Sequence, residues 1–375
     1  MVYRIAEIEC EEGMVKRTTW LMVVFGLLSA MILNRPGETR AQDAVVGAGE
    51  RTVITLENLP ERVLLSGLDM IWQDPNRCSA AALTIQLSYY RDGMNYWETI
   101  RYLNPREEDM SVRLDEMIAY GETFGLRGIE RTGGTFDMLK LLVANGFPVL
   151  IENVYYNGND VDLDWTSHNR VITGYDDARG ILYAFDSVLG NGDDGAGREF
   201  EYAFIEDRWR PMMRDYLVLY EPEDEAFLQA VMGPQWDVQY NAEWTLQQVQ
   251  ADLNGELPDS FDKYNLGTAL VALGRYEEAA QAFDEARAIG FPRQMLWYQF
   301  GPLEAYLQVG RYQDVMALTR NVIADAPGVE EMYYYIARAY LGEGNTERAI
   351  ANLEAAIWRN PNFAAANELL AELRG

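Results

Sequence analysis

The chain has 375 residues, 49% hydrophobic and 24% charged, which excludes a disordered or collagen-like protein and suggests two or three domains. Acidic residues number 59 against 31 basic ones, for a net charge of −28, so the chain repels nucleic-acid backbones and anionic lipid headgroups. Two cysteines, Cys10 and Cys78, and a single histidine, His168, exclude a disulfide framework and a His/Cys zinc site of the usual ligand count; no cofactor is expected.

The N-terminus carries an address. Met14-Val15-Lys16-Arg17 opens a basic segment, and Trp20 to Leu33 is a run of fourteen mostly apolar residues. Asn34-Arg35-Pro36 ends the run, and Thr39-Arg40-Ala41 offers a small-x-small cleavage site. Residues 1–41 therefore read as a signal peptide or, if retained, a membrane anchor, although the run is shorter than the roughly 18–20 residues of a spanning helix. The expected protein is secreted or extracytoplasmic and meets a membrane only through this segment if it stays uncut. Cleavage near Gln42 removes Cys10 and leaves Cys78 as a lone thiol.

Residues 42–60 are polar and read as a linker. From 61 to 222 the spacing predicts helices at 79–91, 95–103, 112–124 and 135–145, punctuated by Gly125, Gly133-Gly134 and Gly146. Strands are predicted at Val149–Tyr155, Arg170–Tyr175, Ile181–Phe185 and Tyr216–Tyr220, with a turn over Asp176 to Gly180. Helices first and antiparallel strands after make an α+β domain. Residues 223–260 read as connecting helices.

From 261 to 375 the chain repeats. Gly274, Gly310 and Gly344 are spaced 36 and 34 apart, and Pro292, Pro327 and Pro361 are spaced 35 and 34 apart. Aromatics recur at Tyr264, Trp297-Tyr298 and Tyr334-Tyr335, and the small Ala279 and Ala349 allow helices to approach closely. A period near 34 with this placement resembles tetratricopeptide repeats, an all-α solenoid of two-helix units, with 363–373 as the capping helix. The resemblance implies a protein partner on the repeats. Because such units contact mainly their neighbours, 261–375 is expected to fold alone.

The chemistry concentrates before and after the first helices. Cys78 opens a predicted helix, where backbone N–H groups and the dipole favour a thiolate. Gln73, five residues earlier, is a candidate oxyanion donor together with the Cys78 backbone N–H. A cysteine nucleophile needs a base, and His168 is the only histidine. A hairpin centred near Ala178 sets residue 170 opposite 186, which makes His168 and Asp186 diagonal neighbours on one face. Asp186 is then the group that orients the imidazole. The acidic stretches Asn157–Asp164 and Asn191–Gly195 lack calcium-loop spacing and read as solvated loops.

These residues resemble papain-fold cysteine peptidases, specifically the bacterial family-39-like group related to bacteriocin-leader-processing peptidases. The resemblance rests on Gln73-x4-Cys78, on His168 with Gly174-Tyr175-Asp176, and on the strand that ends at Asp186, and it covers about 61–222. It departs at Ser79-Ala80, where the family has Gly-Pro, and at Ser187, where it has proline. It implies a papain-like hydrolase for a peptide or protein substrate, with Cys78, His168 and Asp186 catalytic and Gln73 in the oxyanion hole. The alternatives are an exported scaffold with a degenerate peptidase domain, or amide or transpeptidase chemistry on a cell-wall peptide.

Overall fold

The structure, a computed structural model, describes residues 51–156, 165–255 and 259–375. The signal or anchor segment, most of the 42–60 linker and the acidic stretch 157–164 lie outside the described residues.

A mixed-length antiparallel sheet organises the first part. Its strands among the described residues are β1 (Arg62–Leu64), β2 (Arg127–Arg131), β3 (Val149–Tyr156), β4 (Trp165–Asp176), β5 (Ile181–Asp186), β6 (Arg198–Glu201) and β7 (Tyr216–Tyr220). The order is β2-β7-β3-β4-β5-β6, with β1 paired to the far end of β4. Successive side chains point to opposite faces. On β3, Leu150 joins a core with Val171, Phe185, Leu217 and Leu219, while Val149 and Ile151 join one with Ile172, Ala184 and Val218. Helices cover both faces, so β5 and β7 are nearly continuous apolar runs rather than alternating ones, while β3 and β4 carry polar residues at Glu152-Asn153 and at 166–170.

Helix α1 (Cys78–Ser88) is buried along almost its whole length, with Ala80, Ala81, Ala82, Leu83, Ile85 and Leu87 all in the core. A helix apolar on every side belongs in an interior. Each of its large aliphatic side chains contributes about 1.5–3 kcal/mol by burial. The one long polar residue of its middle, Gln86, donates to the Pro148 and Leu217 carbonyls at 3.0 and 3.2 Å, which ties the helix to β3 and β7. Helices α2 (Tyr96–Leu103), α3 (Leu114–Glu122) and α4 (Phe136–Ala144) follow within a few residues of their expected limits.

Three strands were not legible as apolar runs. β2 and β6 are the two ends of the sheet, where one side of the strand meets solvent and charged residues are tolerated; β1 has only three residues. The expected linker also differs. Residues 51–60 pack on the domain: Ile54 exchanges two 2.9 Å hydrogen bonds with the Asn145 amide, and the Tyr175 hydroxyl donates to the Pro60 carbonyl at 2.7 Å.

Helices Glu225–Met232 and Val238–Leu253 lead to the repeats. Paired helices follow at Ser260–Ala272 and Tyr276–Ile289, and again at Glu330–Gly342 and Thr346–Arg359, with a final helix Ala364–Arg374 against the last pair. The turn glycines Gly274, Gly310 and Gly344 have φ of +69°, +74° and +77°, a region that a side chain disfavours. The middle unit departs from the pattern. Its first helix is split into a 3-10 turn (Arg293–Trp297) and a short helix (Gly301–Gln308), because Gly301-Pro302 starts a new helix rather than continuing one.

The repeats are not a separate body: the described residues fall in one compact unit. The main repeat core takes in Val154, Trp165, Met212 and Met213 from the first domain. The Trp165 ring lies 6.3 Å from Phe261 and 6.1 Å from Tyr298. Polar ties run along the same seam. Arg210 pairs with Asp259 at 2.8 Å, Arg113 with Glu331 at 3.1 Å, and the Asn360 amide donates to Glu116 and Glu330 at 2.6 and 2.7 Å. The inter-repeat loops and the first turns of the repeat helices supply these partners. Among the described residues no helix is long and apolar enough to cross a membrane.

Candidate active site

Cys78 is the first residue of α1, preceded by Asn76 in the left-handed region at φ +59°. That turn is pinned by Arg77, whose guanidinium donates to the carbonyls of Asp109 at 2.8 Å and Glu107 at 3.0 Å. The first N–H groups of a helix lack partners within it, so they remain available to an anion near the sulfur.

His168 and Asp186 come from adjacent strands. In the register of β4 with β5, Arg170 stands opposite Asp186, as the hairpin reading expects, and two-residue alternation brings His168 to the same face. His168 Nε2 lies 3.1 Å from Asp186 Oδ1, at ion-pair distance but with the N–H imperfectly aligned on the oxygen. Such contacts tighten on substrate binding in many enzymes. With Nε2 turned to Asp186, Nδ1 is the imidazole nitrogen left toward the Cys78 sulfur.

Burial pulls His168 toward the neutral form, but the nearby Asp186 carboxylate and Cys78 thiol outweigh it and raise its pKa above 6.5. Burial pushes the Cys78 thiol up, and His168, with help from Asn169 and Ser79, brings it below 9.0. Asp186 is buried too, yet His168 and then Arg170 hold its carboxyl below the usual range.

Asp186 is fixed on every side. Oδ2 accepts from Arg170 Nε at 2.7 Å, and Oδ1 accepts the Val188 and Leu189 backbone N–H groups at 2.8 and 2.9 Å. Arg170 is fully buried and its guanidinium lies 4.9 Å from the Phe200 ring. Asn169, of opposite parity on β4, donates to Ser79 Oγ at 3.0 Å and approaches Cys78 Sγ at 3.9 Å. Ser79, one of the two departures from the family pattern, thus becomes the anchor for Asn169.

Gln73 lines the same cavity of about 200 Å3 as Cys78, Ser79 and His168. Its Oε1 accepts from Ser187 Oγ at 2.7 Å, and its backbone N–H donates to the Ser187 carbonyl at 3.1 Å. With Oε1 engaged, the amide nitrogen is the end free to act as a donor, its one contact being a long 3.5 Å approach to the Asp74 carbonyl.

All four residues singled out in the sequence therefore border one cavity or touch a residue that does. Sequence reasoning missed Arg170, Asn169 and Ser187. The first had a signal: the same hairpin register that pairs His168 with Asp186 sets Arg170 directly across from it. Tyr298, which lines the cavity from the repeats, had none.

Residues 66–216 match the Peptidase_C39 like family. This segment is a peptidase C39-like domain. Tetratricopeptide-repeat models match 263–286 and 306–373 behind it, so the chain joins a C39-like α+β domain to a repeat solenoid. Among curated proteins, the aryl-hydrocarbon-interacting protein-like 1 of Mus musculus and that of Rattus norvegicus are each 28% identical over 124 residues, 29% of this chain. The chain spans 37% of the length of those relatives. Among solved structures, MamA 41-end from Desulfovibrio magneticus RS-1 is 21% identical over 40% of this chain and 80% of its own, with a TM-score of 0.32. The MamA RS-1 ArsTM double mutant is 22% identical over 36% of this chain and 74% of its own, with a TM-score of 0.31.

Proposed function

We propose that this protein is an exported cysteine peptidase-like hydrolase that cleaves peptide or amide bonds through Cys78, His168 and Asp186, with repeats that bind a peptide or protein. The observation that supports it best is the single line of contacts from thiol to imidazole to carboxylate, with the thiol pKa drawn down and the imidazole pKa drawn up. The basic, apolar and small-residue order of 14–41 supports export.

In this mechanism the Cys78 thiolate adds to the substrate carbonyl carbon, and the carbonyl electron pair moves onto oxygen. Gln73 Nε2 and the Cys78 backbone N–H donate to that oxyanion. As the tetrahedral adduct collapses, the C–N bond breaks and the leaving amine takes the proton from His168 Nδ1. Water then attacks the thioester and gives a proton to the same nitrogen. The second collapse expels the Cys78 sulfur, releases the acid and restores the ion pair. Asp186 holds the tautomer and stabilises the imidazolium throughout.

The test is labelling of Cys78 with a thiol-directed electrophile in native and unfolded protein, read by peptide mass spectrometry. Fast native labelling that is lost in His168→Ala supports the enzyme. Labelling only after unfolding makes the domain a non-catalytic scaffold.

A further inference from the structure

Tyr298 belongs to the repeats, in the stretch between the 3-10 turn Arg293–Trp297 and the helix Gly301–Gln308, yet it lines the cavity that holds Cys78 and His168. Its position is fixed by more than one contact. The ring is 6.1 Å from Trp165, which is wholly buried at the domain seam, and 6.4 Å from Trp297. The phenol lies beside the backbone of Ser167, the residue before His168. The following residue, Gln299, reaches across the seam to the Met212 sulfur at 3.6 Å. The same ring also walls a larger cavity of about 450 Å3 between the domains, beside Glu152 and Asp215.

Tyr298 therefore stands between the thiol cavity and the larger cavity at the seam. The other large side chains of the thiol cavity, Met110, Tyr155 and Val188, come from the peptidase domain. A space of about 200 Å3 admits one side chain of moderate size beside the reacting carbonyl. A ring with two side-chain torsions, packed on a buried tryptophan, is a wall that does not yield.

Resting on the peptidase reading above, we propose that Tyr298 is a substrate-contacting residue. The peptide reaches Cys78 along the seam between the peptidase domain and the repeats, and the Tyr298 ring limits the size of the side chain next to the scissile carbonyl. The repeats are then one wall of the substrate site and not only a docking module.

The experiment uses the full chain and two peptidyl acyloxymethyl ketones that differ only in Gly or Phe beside the ketone, with iodoacetamide as a small reference reagent. The Cys78 thiolate forms a thioether to the methylene carbon and a carboxylate leaves. The readout is the Phe-to-Gly rate ratio at Cys78, by peptide mass spectrometry, in protein shown to be folded by circular dichroism. Tyr298→Ala should raise that ratio about tenfold, the low end of discrimination by one or two methylene groups. Tyr298→Phe, which keeps the ring, should bring it back toward the wild-type ratio, and Tyr298→Trp should lower it. If Tyr298→Ala does not fold, the Trp variant, which keeps the aromatic packing, decides. Unchanged ratios in folded, iodoacetamide-reactive variants overturn the role of Tyr298 and leave the peptidase reading standing. Native wild-type protein that reacts with none of the three reagents overturns both.

Discussion

Ser187 Oγ donates to Gln73 Oε1 at 2.7 Å, so the residue standing where the family pattern has proline holds the amide of the candidate oxyanion donor. The link ties the end of β5 to the turn before α1, and it turns the amide nitrogen away from Ser187. Ser187→Ala should free that amide while the backbone contact between the two residues persists. The expected loss is about threefold to tenfold in kcat, the worth of one hydrogen bond of ~1 kcal/mol. Gln73→Ala removes the donor itself and should cost about 10²–10³. The ordering is the check, measured on a peptide-ester substrate; a Ser187→Ala loss as large as that of Gln73→Ala would assign Ser187 a role of its own.

The coupling of Cys78 to His168 has a pH signature. Burial alone raises a thiol pKa, and His168 reverses that effect. The rate of Cys78 alkylation should therefore rise with pH through an acid limb below 9.0. In His168→Ala the burial remains and the partner is gone, so the limb should move to 9.0 or above. Asp186→Asn keeps a hydrogen-bonding group but loses the charge that raises His168, and should fall between the two. A wild-type limb at 9.0 that His168→Ala does not move would mean that the pair is uncoupled.

The parts of this site that share a strand register were legible in the sequence, because hairpin alternation is a local rule. Asp186 and His168 follow from it, and so does Arg170, whose buried charge reads as an ordinary strand residue until its partner is placed across from it. Edge strands β2 and β6 were hidden, since their charged side chains leave no apolar run. The repeat period was plain from glycine and proline spacing, yet the split first helix of the middle unit was not, because Gly301-Pro302 permits both a break and a start. Tyr298 and the shared core at Trp165 were beyond reach. Nothing local says which aromatic of a repeat faces a neighbour and which faces another domain.

Carboxylates crowd the seam, and they set how stability depends on pH. Burial pushes Glu152 up to about 7 from 4.5, and Glu331 to about 8. Between 4.5 and 7, folded Glu152 keeps a proton that the unfolded chain has released. The folded state then binds more protons than the unfolded one, so stability falls as pH rises through that window. Glu331 extends the decline toward 8. Asp186 acts in the opposite sense, but its contribution is lost only as pH falls below the ordinary 3.8, outside this range. Urea melts should give a higher midpoint at pH 5 than at pH 8, and Glu152→Gln should flatten the slope between 4.5 and 7. A midpoint that climbs from pH 5 to pH 8 would show that these groups are ionised without cost.

Trp165 decides whether the repeats can stand alone. A solenoid whose units met only their neighbours would fold as a fragment. Here Trp165, Val154, Met212 and Met213 are part of the repeats' own apolar core, and Phe261 and Tyr298 pack on the indole. Cutting before 261 exposes that face and strips Glu331 of Arg113 and Asp262 of Arg210. The fragment 261–375 should keep helical circular dichroism but melt at lower temperature and with less cooperativity than the full chain, and it should associate in size-exclusion chromatography. Trp165→Ala in the full chain should cost about 3–5 kcal/mol, as loss of a buried aromatic does, and should lower the melting of the repeats together with that of the peptidase domain. A monomeric fragment that melts as sharply and as high as the parent would mean that the seam contributes nothing to repeat stability, and the two parts would then be independent domains that merely touch.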